Sequence, residues 1–151
     1  MSGEHVFVMF YAPWCGHCKS SKPEFERAGE QTGGVHVVEY EDYMGAPVPE
    51  SGVILVKVNC DNHGEKADRF GVQGFPTFQL FHNVPNREGF LKDHHEERSH
   101  YGGGRTSMDF SLFIQGHIKA RQEADYKLYK KYKRKYLELA DTYNMSEGGD
   151  V

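Results

Sequence analysis

The sequence predicts an α/β fold: a mixed central sheet flanked by helices, with a long helical extension at the C-terminus. Three observations carry that prediction. Short apolar runs alternate with stretches of helical character in the order βαβ and then ββα. A pair of cysteines, Cys15 and Cys18, stands where the first apolar run gives way to the first helix. The length of 151 residues, with 38% hydrophobic and 26% charged side chains, suits one ordinary domain with a core of its own.

The elements follow in order. Residues 6–12 are a continuous apolar run, the pattern of a strand buried on both faces. Residues 14–30 read as a helix, kinked at Pro23 and ended by Gly33-Gly34. A long insert, about 33–52, holds Pro47, Pro49 and the acidic run Glu39-Tyr40-Glu41-Asp42, and residues 35–38 within it have the character of an extra edge strand. Residues 53–59 are a second buried strand, and 64–70 a short helix stopped by Gly71. Residues 77–82 are a third strand, introduced by Gly74-Phe75-Pro76. A charged loop, about 83–99, leads to a fourth strand over 98–101 that ends at Gly102-Gly103-Gly104. From residue 107 the pattern is helical nearly to the end. The order implies a parallel βαβ half and an antiparallel hairpin half. We divide the chain into a domain at 1–118 and an extension at 119–151 with a flexible end.

Composition narrows the function. A net charge of −4 gives no global reason to expect nucleic acid. No apolar run approaches the roughly 20 residues that span a bilayer. Three cysteines are too few for a disulfide-stapled miniprotein. The first residues lack the basic, apolar and small-residue sequence of a secretory leader, and the last four are not a retrieval signal. These ends fit either a cytoplasmic protein or a piece of a longer precursor.

The informative segment is Cys15-Gly16-His17-Cys18. A thiol at a helix N-terminus feels free N–H groups and the positive end of the dipole, so its thiolate is stabilised. Cys15, at the helix start, is the expected nucleophile. Cys18, one turn in, is placed to attack a mixed disulfide formed on Cys15. His17 can favour the Cys15 thiolate. The competing reading is half of a zinc site, which needs two more ligands. Cys60 stands alone and His94-His95 lie in the remote charged loop, so no metal is expected.

At this point a resemblance emerges. Phe10-Tyr11-Ala12-Pro13-Trp14-Cys15-Gly16-His17-Cys18-Lys19 resembles the active-site motif of the catalytic domains of protein disulfide isomerases, in the thioredoxin superfamily. Lys57-Val58-Asn59-Cys60-Asp61 resembles the central strand, the segment from Phe70 to Phe78 the cis-proline region, and Tyr101-Gly102-Gly103-Gly104-Arg105-Thr106 the stretch before the last helix. The resemblance covers about three quarters of the chain. It implies a thioredoxin-like fold and a thiol–disulfide oxidoreductase that forms, reduces or rearranges disulfides in protein substrates. It implies that Pro76 is cis, that the Phe75 backbone pairs with extended substrate, that Trp14 is an apolar contact for unfolded chains, and that Arg105 lowers the pKa of the second cysteine. No organic cofactor is implied beyond the Cys15–Cys18 dithiol itself. The partners would be cysteine-containing unfolded or partly folded proteins, with glutathione or a partner dithiol as electron carrier, in the endoplasmic reticulum lumen. A second reading is a client-binding module with slow turnover.

Two departures from the family motivate that second reading. Met9 stands where members usually carry a buried carboxylate, the proton acceptor for the second cysteine and the partner of the strand lysine, here Lys57. Lys57 must therefore tilt to solvent or find another acid, with Glu39, Glu41 and Glu50 of the insert as candidates. Only five residues precede the first strand, where the family adds a further strand and helix, which leaves a sheet edge either exposed or covered by the insert. Cys60 reads as a buried unpaired thiol. Residues 119–135 carry eight basic side chains and two acids, and Tyr129, Tyr132, Tyr136, Leu139 and Tyr143 recur at heptad-like spacing. This helix either packs its tyrosines on the domain, with lysines outside, or presents them for self-association or partner docking. An acidic surface, nucleic acid or anionic membrane is the weaker third choice.

Overall fold

The computed structural model describes residues 3–32, 35–47, 49–92 and 97–147. Five strands form one sheet in the order β2-β3-β1-β4-β5: β1 Glu4–Tyr11, β2 Val37–Glu39, β3 Val53–Asn59, β4 Thr77–Val84 and β5 Arg98–Tyr101. β1 and β2 run parallel to β3, while β4 is antiparallel to both β1 and β5. This is the mixed sheet that the βαβ and ββα order requires. The apolar runs at β1 and β3 sit at its centre because both faces are covered: Phe7, Val8, Ile54 and Leu55 are fully buried.

One face carries Phe7, Met9, Tyr11, Leu55, Phe78 and Leu80, packed against Phe25 and Ala28 of α1 (Gly16–Gln31) and Phe110 and Ile114 of α4 (Ser107–Glu147). The other face carries Val6, Val8, Phe10, Ile54, Val56 and Phe81, packed with Tyr43, Phe70 and Phe90. α2 spans Gly64–Arg69 and α3 spans Arg87–Lys92. Strand alternation thus sends odd-numbered β1 side chains toward α1, which places Tyr11 and Cys18 in one apolar cluster.

The insert supplies the expected edge strand, as β2, and adds a short 3-10 turn, Tyr40–Asp42, while the second loop holds the helix α3. Arg87, which opens α3, ties the insert down: its Nε and Nη2 donate to the Glu4 carboxylate at 2.8 and 3.2 Å, and its Nη1 to the Tyr43 carbonyl at 2.7 Å. The Tyr43 hydroxyl donates to the same carboxylate at 2.9 Å. The edge beyond β3 is therefore occupied by the insert itself. The expected helix stop Gly33-Gly34 and His94-His95 lie outside the described residues, as does the end of the extension.

The chain divides into two compact units, Met1–Ile118 and Lys119–Val151. In the second, Tyr126 stacks on Tyr129 with ring centres 6.5 Å apart, and Lys130 and Lys133 stand over these rings. Such contacts at helical spacing support an otherwise isolated helix. Within this unit Tyr129, Tyr132, Tyr136 and Leu139 are exposed.

Candidate active site

Cys15 is the residue immediately before α1, with extended backbone (φ −80°, ψ 124°), and Cys18 lies in the first helical turn. Both are free thiols. Cys15 is half-buried, whereas Cys18 is 2% exposed inside the apolar cluster. Position and burial push the two thiols in opposite directions. The Cys18 backbone N–H, then the Cys18 thiol and the His17 N–H, stabilise the Cys15 thiolate and hold its pKa below the usual thiol value, with Arg105 adding a favourable charge. Burial, together with the hydrogen bond to Cys15, pushes the Cys18 thiol up to about 11. The pair is a half-buried thiol with a stabilised thiolate, backed by a buried thiol whose pKa is raised.

The flanking segment closes over this pair. The Phe75–Pro76 peptide is cis, and the protonated Cys15 thiol donates to the Phe75 carbonyl at 3.5 Å. Pro76 is buried and Phe75 half-buried. Trp14 is 67% exposed; its ring meets Phe75 edge-on at 6.2 Å, and its Nε1 donates to Asp61 Oδ1 at 3.1 Å. The Arg105 guanidinium stands 5.9 Å from the centre of the Phe78 ring, and its charge favours the thiolate of both cysteines. Gly16 opens α1 where an added Cβ would meet nothing within 4 Å, so it contributes backbone rather than a tight fit. The His17 backbone N–H adds to the stabilisation of the Cys15 thiolate after the Cys18 groups, and the His17 side chain is exposed.

Lys57 does find an acid, and the first of them is not one of those expected. Its Nζ lies 2.6 Å from Glu26 Oε1 on α1, and 3.6 Å from Glu39 Oε1 on β2. Glu41 instead pairs with His63 Nε2 at 2.7 Å, and Glu50 is exposed. The lysine side chain is only 11% exposed, so it does not tilt to solvent. Met9 sits directly across from Lys57 in the β1–β3 register and is fully buried. The carboxylates that neutralise the lysine have moved to the helix above and the strand beside. Helical spacing could have pointed to Glu26, since Cys18, Lys22 and Glu26 recur every four residues and share a face of α1. Asp61 was missed as well, though it lies in the quoted central-strand segment. Cys60 is buried, and burial pushes its thiol up to about 11, the state of an unreactive thiol.

A two-cysteine centre at a helix N-terminus, facing a cis-proline across a mixed sheet, defines the class of thioredoxin-fold dithiol proteins. The thioredoxin family profile matches residues 1–114, and the chain belongs to that family. Protein disulfide isomerase-like 5-2 of Oryza sativa subsp. japonica is 39% identical over 83 residues, 54% of this chain and 16% of that protein. Protein disulfide-isomerase 1 of Dictyostelium discoideum is 34% identical over 116 residues, 76% of this chain and 25% of that protein. The Drosophila melanogaster protein disulfide-isomerase is 32% identical over 111 residues, 74% and 17% of the two chains. The chain thus spans a quarter or less of these curated relatives. Among solved structures, the zinc-bound form of human ERp44 superposes with a TM-score of 0.53 at 23% identity, covering 77% of this chain and 28% of that one. The Trx4 domain of ERdj5 gives 0.52 at 21%, covering 78% and 82%. At these identities the structures establish the fold alone.

Proposed function

We propose that this protein is a thiol–disulfide oxidoreductase of the protein disulfide isomerase type, acting on disulfides or thiols of protein substrates. The observation that carries the reading is the opposed pair of thiols: a stabilised thiolate at Cys15 and a raised, buried thiol at Cys18. In the reducing direction the Cys15 thiolate attacks a substrate disulfide, one substrate thiolate leaves, and a Cys15–substrate mixed disulfide remains. Cys18 then attacks the Cys15 sulfur, the second substrate thiolate leaves, and the Cys15–Cys18 disulfide forms. The oxidising direction is the reverse. Release of a misplaced disulfide before Cys18 acts allows rearrangement. Trp14 and the Phe75 backbone border the nucleophile, where an extended, cysteine-containing chain would lie. The dithiol needs no organic cofactor or metal in this scheme; glutathione or a partner dithiol exchanges the electrons. A stabilised thiolate makes the disulfide a better oxidant, which suits an oxidising lumen such as the endoplasmic reticulum.

The test combines a redox titration with refolding of a scrambled disulfide protein. In glutathione buffers the Cys15–Cys18 couple is expected at roughly −180 mV. The wild-type chain should speed recovery of the native disulfides. Cys15→Ser should abolish this, and Cys18→Ser should accumulate mixed disulfide. A chain that forms no reversible Cys15–Cys18 disulfide, yet still holds unfolded clients after both cysteines are replaced by serine, is a binding module and not an oxidoreductase.

A further inference from the structure

Cys18 must lose a proton before its sulfur can attack the mixed disulfide, yet it is buried and its thiol is raised to about 11. Cys18 lines a cavity of about 300 Å³ together with Tyr11, Ala12, Pro13, Lys19, Lys22 and Asn59, large enough to hold water beside the lysines, the asparagine and the tyrosine. From its wall the Tyr11 hydroxyl donates to both oxygens of Glu39 at 3.1 Å. Two lysines hold that carboxylate in place, Lys22 Nζ at 3.5 Å and Lys57 Nζ at 3.6 Å from Oε1. Lys22 also stands over the Tyr11 ring at 4.7 Å. Glu26 anchors Lys57 from α1, and Glu41 and Glu26 act on Tyr11 at longer range. Glu39 itself is about a third exposed, with a side-chain exposure of 31%, so a proton received there can pass on to bulk water.

We infer that Tyr11 and Glu39 form the proton exit for Cys18, with Glu39 taking the proton that Cys18 releases into the cavity. The inference rests on the dithiol-exchange reading above and deepens it. The Cys18 thiol gives its proton to a cavity water. That water protonates the Tyr11 oxygen as the Tyr11 hydroxyl delivers its own proton to the Glu39 carboxylate. The Cys18 sulfur attacks the Cys15 sulfur of the mixed disulfide. The Cys15–substrate S–S bond breaks, the Cys15–Cys18 bond forms, and the electron pair leaves on the substrate thiolate. The protein dithiol is thereby oxidised by two electrons and the substrate disulfide reduced. Neither Tyr11 nor Glu39 touches substrate; they are positioning residues for the proton path. A charged network, of limited value for stability alone, thus surrounds a buried tyrosine.

The experiment is single-turnover kinetics on the full chain with a disulfide-bonded peptide, resolving mixed-disulfide formation from its breakdown across pH. Three forms are compared: the wild type, Glu39→Gln and Tyr11→Phe. Breakdown is expected to slow by roughly ten- to a hundred-fold near neutral pH in both variants and to regain speed as pH rises, because hydroxide replaces the lost acceptor. The rate of Cys15 alkylation, which reads the first step, is expected to stay as in the wild type. Tyr11→Phe keeps the ring under Lys22 and so reports on the hydroxyl even if Glu39→Gln perturbs folding. Breakdown at the wild-type rate and pH profile in a folded Tyr11→Phe overturns the inference, as does equal slowing of both steps. If the wild type forms no mixed disulfide at all, it is the exchange reading that fails.

Discussion

Replacing Arg87 by methionine isolates the interaction that fastens the insert to the sheet. The guanidinium and the Glu4 carboxylate are both nearly buried, with side-chain exposures of 12% and 8%. Their pairing is bidentate, at 2.8 and 3.2 Å, the geometry in which charge-assisted hydrogen bonds are strongest. Arg87 also serves the carbonyls of Tyr43 and Pro47 and stands 4.8 Å from the centre of the Tyr43 ring. Methionine of similar length keeps most of the packing but leaves the Glu4 carboxylate buried with only the Tyr43 hydroxyl beside it. Stranding one charge of a buried pair costs about 3–5 kcal/mol. For a domain of this size that corresponds to a fall in Tm of roughly 10–20 °C. The assay is a thermal melt followed by far-ultraviolet circular dichroism, repeated at high salt, which should change little because the pair is shielded from solvent. The double variant Glu4→Leu, Arg87→Met removes both charges and should recover most of the loss. A fall below about 3 °C for the single variant, or no recovery in the double, would refute the reasoning.

Other expectations concern the site and its surroundings. Alkylation of Cys15 should set in below the usual thiol value of 9.0, whereas Cys18 in the Cys15→Ser variant should resist to above that value, because its burial remains; equal reactivity would contradict the opposed thiols. Arg105→Gln should raise the apparent pKa of both cysteines by less than about one unit, since its exposed charge is partly screened, as read from the pH dependence of alkylation. Phe25→Ala, which empties a fully buried site between Phe7, Phe78 and Phe110, should cost about 3–5 kcal/mol in urea unfolding. The His117 pKa is lowered, first by burial and then by His82. The unfolded chain therefore takes up a proton as pH falls through the ordinary histidine value, before the folded protein does. Stability from this group is full above that value and is lost as pH falls toward the lower folded pKa. A melt series between pH 8 and 5 should fall more steeply for the wild type than for His117→Leu.

Much of this fold was legible because apolar runs report burial directly. Strands such as 53–59 read as strands because both of their faces are covered, and the Cys15–Cys18 spacing fell at a strand–helix junction, where a helix N-terminus meets the first thiol. Polar contacts between distant segments were not legible. The spacing of Cys18, Lys22 and Glu26 marks a shared helix face, but not that this face meets Lys57, 31 residues away, and the acidic run in the insert drew attention instead. Arg87 lay in a stretch whose charges read as loop, yet its role is set by Glu4, 83 residues earlier. The absence of an acid at Met9 was visible in the sequence; where the compensating acids stand depended on how α1 and β2 flank β3.

Trp14 is the only tryptophan in the chain, and it adjoins the nucleophilic cysteine with its ring against Phe75 and its N–H on Asp61. All of the indole fluorescence therefore originates at the dithiol, and no second emitter dilutes it. A disulfide quenches an excited indole by accepting its electron, so under the proposed dithiol exchange closing the Cys15–Cys18 bond would dim the emission and opening it would restore the light. A substrate chain laid across the exposed ring shifts the colour of that emission by displacing water. Under that proposal the indole would be an optical gauge of the redox state of the dithiol, readable in real time without a label.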